Sequence, residues 1–443
     1  MNPEFERNLW LELTPGRMLV MAGVLALYFF AAALVGGAWT GPGEAARWAY
    51  YLIVVLWGTR NAAQSVVGEI RDRTWDGQRL SSLPAGSMMW GKLFGSTLYN
   101  WFGGAICLVV ILAEAINRNG PAAAAVEFAY LLSLGVIAQS VSLLASLIAV
   151  RRRQGHTQFE VFIYQAAGIA AGAAVWAIAD PAGPQIGGSD TRILWWGQGI
   201  QAQPFLLVSL AAFAGWTLTG CYRQMRLELK HRNGPLVWLG FLAFIGLYAA
   251  GFDAWLSANQ ALMQLGLAAR RLFLAGTAFG ALGYVMAFLE PKDRVRLRWL
   301  GGEFAHFRLG TAFKSLPGWM MSYLAALLIG LALLASLGAA QADQAVFGAM
   351  LGFFTRDLAV IVLFAMLTRG RGGDLAALAM LVLLYALLPA IFSGLHFSTL
   401  LFLPGVSEPA WLSPLAAWAE ALLAWAITVA NIALPERPAQ TPP

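Results

Sequence analysis

Apolar runs of about 20 residues recur along the whole chain, and charge is concentrated in the short segments between them. A run of that length crosses a hydrocarbon core of about 30 Å as a helix. Lipid permits little else, because every backbone N–H and C=O must be satisfied inside the protein. Twelve runs are read, at roughly 18–37, 47–66, 93–114, 122–150, 158–179 and 204–225, then 235–256, 268–289, 320–339, 345–367, 375–394 and 412–434. Only 12% of residues are charged, against about 25% in a soluble domain. The expected fold class is an all-α polytopic membrane protein with about 12 transmembrane helices. No stretch is long and polar enough to form a separate soluble domain. The net charge of +6 gives no reason to expect nucleic acid as a partner; the basic residues are read by loop, as topology signals.

With the N-terminus inside, twenty-three of the 29 Lys and Arg fall on inward loops or inner span ends. The remaining six are Arg47, Arg118, Arg192, Arg270, Arg271 and Arg356. The positive-inside rule then makes both termini cytoplasmic, in the cell inner (plasma) membrane.

The chain also reads as a duplication of two parallel six-helix units, 1–234 and 235–443. Each has its longest inward loop between its second and third spans, 67–92 and 290–319. Both loops are basic and end near a Ser-Leu-Pro, Ser82-Leu83-Pro84 and Ser315-Leu316-Pro317. The next inward loops are short and basic, with Arg151, Arg152 and Arg153 in one and Arg369 and Arg371 in the other. Outer segments 180–203 and 395–411 contain apolar pieces too short to span, which read as re-entrant or interfacial. Before the first span, residues 4–14 place Phe5, Leu9 and Leu13 on one helical face, with Trp10 as an interfacial ring, and Pro15-Gly16 ends the segment.

Residues 69–92 are too polar for a bilayer and are flanked by segments that span it. The second span continues as a helix through Ile70, and Pro84 and Gly86 break the chain before the third. A short helix between them would lie across the ends of two spans and move both as a unit when gripped. Glu69, Asp72 and Asp76 accompany Arg71, Arg73 and Arg79 around Trp75, and mixed charge around an aromatic suits a protein contact.

This stretch resembles the membrane (permease) subunits of type-2 ATP-binding-cassette (ABC) exporters. The resemblance rests on Glu69, Arg71, Thr74, Trp75, Asp76, Leu80, Ser82, Pro84, Gly91 and Lys92. It extends to the surface N-terminal helix, six spans per unit and a re-entrant segment before the last span. Where that family usually has Gly before the Thr, this chain has Arg73. The resemblance implies a transmembrane subunit that moves an unidentified substrate when separate ATPase subunits dock on its cytoplasmic loops. Docking residues would be Glu69, Arg71, Arg73, Trp75, Asp76 and Arg79, with Arg296 and Arg298 on the fainter second loop. ATP and Mg would sit on the partner ATPase, not on this chain. One chain could supply both halves, or it could form a homodimer; membrane lipid is the other expected partner.

Catalytic motifs are absent from the reading. The segment from Gly86 to Lys92 mimics a phosphate loop, but Leu93 stands where Ser or Thr is needed and no strand precedes it. The four histidines, His156, His231, His306 and His396, are scattered, and Cys107 and Cys221 both fall inside spans, so neither a metal site nor a disulfide is expected. A lipid-linked transferase would need acids on a sizeable outer loop, and these loops offer only Asp180, Asp190 and Glu408. Charges inside spans carry a transport reading by default. Glu127, Arg356, Asp357 and Glu420 therefore mark a possible substrate path, or the ion sites of a secondary transporter. Arg356 and Asp357 are adjacent on one helix and are expected to find partners on other helices rather than each other. Asp253, Arg270 and Arg271 are read near the outer surface.

Overall fold

The computed structural model describes residues 2–35, 41–151, 158–179, 192–256, 265–338, 341–367, 372–396, 398–405 and 409–433. Arg152, Arg153, His156, Asp180, Asp190, Arg369, Arg371, Glu408 and Arg437 lie outside them. The chain divides into two compact units, 1–193 with 199–233, and 194–198 with 234–443.

The first unit comprises α1 (Pro3–Glu12), α2 (Pro15–Val35), α3 (Pro42–Tyr50), α4 (Gly58–Arg71), α5 (Trp75–Arg79), α6 (Ala85–Trp90), α7 (Leu98–Arg151), α8 (Gln158–Ala179) and α9 (Ala202–Glu228). The strands β1 (Arg192–Trp195) and β2 (Gln198–Gln201) precede α9 as a hairpin. The second unit contains α10 (Leu236–Ala250), α11 (Asp253–Leu256), α12 (Leu267–Leu289), α13 (Arg294–Ala305) and α14 (Leu309–Ser315). It continues with α15 (Gly318–Ser336), α16 (Gln341–Leu367), α17 (Gly372–Val382), α18 (Leu388–Gly394) and α19 (Leu412–Ala433).

Eight helices among the described residues are long and apolar enough to cross a membrane, and Val161–Val175 and Leu236–Ala250 are shorter apolar helices. The chain is thus an all-α membrane protein, with one small hairpin among the described residues. The longest of the eight, α7, is broken at Gly120, whose φ of 83° and ψ of 172° leave the helix before Pro121. Glycine reaches that backbone without a Cβ clash, and proline then restarts the helix.

In the first unit a π-helical stretch, Tyr51–Trp57, joins α3 to α4. Here helix bonds run to the fifth residue, as from Gly58 N–H to the Ile53 carbonyl. Side chains add further donors to carbonyls of this stretch. Asn100 donates to the Ile53 carbonyl at 3.0 Å, Gln139 to Val54 at 2.9 Å, and Gln165 to Leu56 at 2.9 Å. Asn61 and Trp101 in turn donate to Asn100 and Gln139. Around this polar seam, Tyr50, Val54, Ile111, Leu131 and Leu134 form the apolar core. The second unit packs Leu242, Phe279, Trp319, Phe354, Leu358 and Ile361 together, and carries its own π turn at Leu383–Leu387.

Where described, the two outer segments read as re-entrant or interfacial are a hairpin and a set of turns. Residues 192–201 make a β-hairpin because Trp196 and Gly197 both take positive φ, 53° and 74°, the two-residue turn that matches strand twist. Within the second unit its tip folds onto the end of α10: Trp196 N donates to Gly251 O at 2.8 Å and Trp195 Nε1 to Tyr248 O at 3.2 Å. Arg271 lies over the Trp196 ring at 4.6 Å and donates to Asp253 at 3.3 Å. Residues 398–405 form turns, and Phe402 packs on Phe392 of α18 with ring centroids 4.9 Å apart.

Candidate functional site: an anchored surface helix and a buried ion cluster

In the first unit, α4 ends at Arg71 and the chain reverses through Arg73, which has φ 61°. Thr74 N donates to Glu69 O and Arg73 N to Ile70 O, a left-handed helix terminus. That turn launches α5, and Pro84, extended at φ −68° and ψ 148°, starts α6. The second unit repeats these local features. Phe307 has φ 56°, Arg308 N donates to Glu303 O, α14 follows, and Pro317 starts α15 at φ −68° and ψ 153°.

Trp75 is turned inward, 4% exposed, and does not face a partner as expected. The reason is its amphipathic setting: its ring joins Val66, Met88, Leu143, Leu147 and Met225 in one apolar cluster. The stretch therefore sits on α4, α6, α7 and α9 together. Glu69 is also directed inward. It pairs with Lys92 and accepts from Arg7 at 2.8 Å, while Lys92 reaches Glu4 at 2.9 Å and lies 5.7 Å from the Trp75 ring centre. Lys92 is buried, so the false phosphate loop has its cation committed to carboxylates. Burial alone raises the Glu69 carboxyl; hydrogen bonding and charge from Lys92, then Arg7, overcome it and hold the group below its ordinary range.

Glu4 and Arg7 come from α1, the segment read as a short helix lying in the membrane surface. Glu4 and Asn8 face the protein, and Leu9, Trp10 and Leu11 are exposed. A Cβ at Gly91 would stand 2.5 Å from Glu4 Cγ, so only glycine lets α1 lie this close. Beside this contact an open, mostly apolar groove of about 660 Å³ runs between Phe5 of α1 and Trp90, Phe94 and Trp101. What the stretch presents outward is the other side of α5 and its ends: Asp76, Arg71, Asp72, Arg73 and Leu80 are exposed. Arg79 is half-buried and donates to Glu228 O at 3.2 Å, tying α5 to the end of α9.

The second loop is held differently. Arg294 donates to Met366 O at 2.7 Å and to Asn431 at 2.8 Å, and Glu290 accepts from the first N–H groups of α15. Arg296 donates to Ser315 O at 2.9 Å, linking α13 to α14, and Arg298 is half-buried on α13.

The chain matches no family model, no curated protein and no solved structure.

Of the span charges, Glu127 pairs with Arg47 at 2.8 Å, near Glu44 and Glu114, in the first unit. Arg356, Asp357 and Glu420 meet in the second. Arg356 is 3% exposed; its Nε and Nη2 both reach Asp357 Oδ1 at 3.0 Å and its Nη1 reaches Glu420 at 2.7 Å. This corrects the expectation that adjacent Arg356 and Asp357 do not satisfy each other. Neighbouring Cβ atoms diverge, but the long arginine arm folds back and its planar fork meets the carboxylate. The Phe353 and Tyr385 rings hold the guanidinium, 4.6 and 5.2 Å from their centres. Asp357 Oδ2 accepts from Tyr284 at 2.7 Å and Tyr385 at 2.6 Å. Tyr385 lies on the π turn. The tyrosines were not legible as site residues, because a span tyrosine reads as an interface anchor until its partner is known.

Proposed function

We propose that the chain is the transmembrane subunit of an ABC-type exporter, driven by separate ATPase subunits that bind ATP and Mg. In this reading it has twelve spans in two parallel six-helix units, with both termini cytoplasmic in the plasma membrane. The eight long apolar helices, the division of α7 at Gly120, the shorter apolar helices and the helix through Tyr51–Trp57 are compatible with that count. One observation carries the functional reading. A short helix, α5, has its base fixed in the bundle through Trp75 and Arg79, exposes Asp76, and is preceded by exposed Arg71, Asp72 and Arg73. A load applied to Asp76 or Arg71 would pass to α4, α7 and α9 together. The outward residues are the docking set; Glu69 and Trp75 transmit rather than touch. The repeated left-handed terminus and proline start in each unit support an internal duplication.

The test is co-purification of the tagged full chain from its own membranes. An ABC ATPase should accompany it, and Asp76→Arg with Arg71→Glu should release that ATPase while the chain stays folded. Absence of any ATPase, or undiminished retention by the double variant, sinks the reading.

Buried Arg356 and Asp357 with half-buried Glu420 favour a second reading, an ion-coupled secondary transporter, since two carboxylates face one guanidinium. Uptake driven by a proton or sodium gradient in vesicles containing only this chain would select it over the first.

A further inference from the structure

The second unit's loop, α13 and α14, is not a copy of α5 in charge or in surface. Residues 294–315 contain five basic residues and one acid, Glu303, whereas 69–79 balance three against three. The second loop also exposes several large apolar side chains, where the stretch around α5 exposes Leu80: Val295 is 60% exposed, Leu309 58%, and Trp299, Phe304 and Phe313 each above 40%. Phe307 is 85% exposed on a left-handed residue, a backbone that a bulky side chain seldom adopts. In water such a patch is unfavourable. Its basic companions, Arg296, Arg308 and Lys314, are exposed on the same pair of helices. Aromatic and aliphatic side chains interleaved with cations are the composition of a helix lying in a membrane interface, where the rings enter the acyl boundary and the cations meet anionic headgroups.

The position fits. α13 follows the end of α12 after Glu290, and α14 leads through Pro317 directly into α15, so both lie where two spans leave the bilayer. The positive-inside count puts that end in the cytoplasm, beside the leaflet that carries anionic lipid. Arg294 clamps the loop to the ends of α16 and α19, which keeps it at the surface.

We propose that α13 and α14 form a binding surface for anionic phospholipid, with Phe307 and its apolar neighbours inserted and Arg308 and Lys314 at the headgroups. The second loop is then a membrane anchor rather than a second ATPase dock. This inference stands whether or not the first unit engages an ATPase, because its readout is lipid.

The test uses the full chain with a spin label at Phe307→Cys, Cys107 and Cys221 being buried. It is reconstituted into vesicles of phosphatidylcholine alone, or with about a third phosphatidylglycerol. In the anionic vesicles the label is expected to collide with dissolved oxygen more than with a water-soluble nickel complex. A label at Ser81→Cys, beside α5, should stay water-accessible in both. Adding Arg308→Glu and Lys314→Glu should weaken the anionic preference by roughly five-fold for each basic charge removed. If Phe307→Cys does not fold, Leu309→Cys carries the label. A label exposed to the nickel complex in both compositions overturns the proposal. So does shielding that appears only when a soluble ATPase is added, which would make the loop a protein dock.

Discussion

At the residue scale, three positions carry consequences that can be measured. Arg73 holds a left-handed backbone that costs an L-residue roughly 1–2 kcal/mol and glycine almost nothing. Arg73→Gly should therefore raise unfolding stability by about 1 kcal/mol, and an unchanged or lower midpoint would refute that account. Arg356 neutralises two carboxylates, one of them, Asp357, fully buried. Arg356→Met should cost about 3–5 kcal/mol by stranding them, and Glu420→Gln added to it should recover part of the loss. Additive losses would mean that Glu420 is not coupled to Arg356. Glu69 is held below the usual carboxylate range by Lys92 and Arg7 against the opposing effect of burial. Its contribution is therefore complete above the unfolded value of about 4.3 and is lost as pH falls through the lowered folded value. Glu69→Gln should flatten the acid limb of a stability–pH curve; an unchanged limb would assign it to other groups.

At the element scale, α5 is too short to be stable alone and owes its place to Trp75. Trp75→Ala should cost about 3–5 kcal/mol and open the chain between α4 and α6 to protease. If cleavage stays as slow as in the parent, the helix is held by something other than that ring. The π stretch Tyr51–Trp57 is likewise tied to its neighbours by Asn100 and Gln139, whose amides donate to its Ile53 and Val54 carbonyls. The helix N-terminal to α5 was legible as a span over 47–66 that continues as a helix through Ile70, and α4 runs to Arg71. The direction of Trp75 was not legible: among mixed charges it read as a protein contact, and only its neighbours from α7 and α9 show it turned inward.

At the scale of the whole molecule, the charge asymmetry makes a topology prediction that needs no substrate. A cysteine at Ser81 should label from the cytoplasmic side and one at Asn119, beside the break in α7, from the other. Cys107 and Cys221 are buried and should not compete for the reagent. Labelling of both positions from one side would remove Gly120 as a turn between two spans and the twelve-span reading with it.

The sequence by itself determined the solvent and the periodicity. Runs of about 20 apolar residues can satisfy their backbone in lipid only as helices, so membrane class and most helix positions follow from local composition. Glycine and proline likewise marked Pro84 and Gly86 as a break, because those limits are intrinsic to the residue; the break at Gly120 came from the structure. Tertiary structure alone decided which charges meet. Glu4 with Lys92, Arg47 with Glu127, and Arg356 with Glu420 are separated by 64 to 88 positions. Such pairings depend on helix rotation and packing, which no window of the chain contains. Tertiary structure also turned the residue the sequence singled out, Trp75, from a surface into a core.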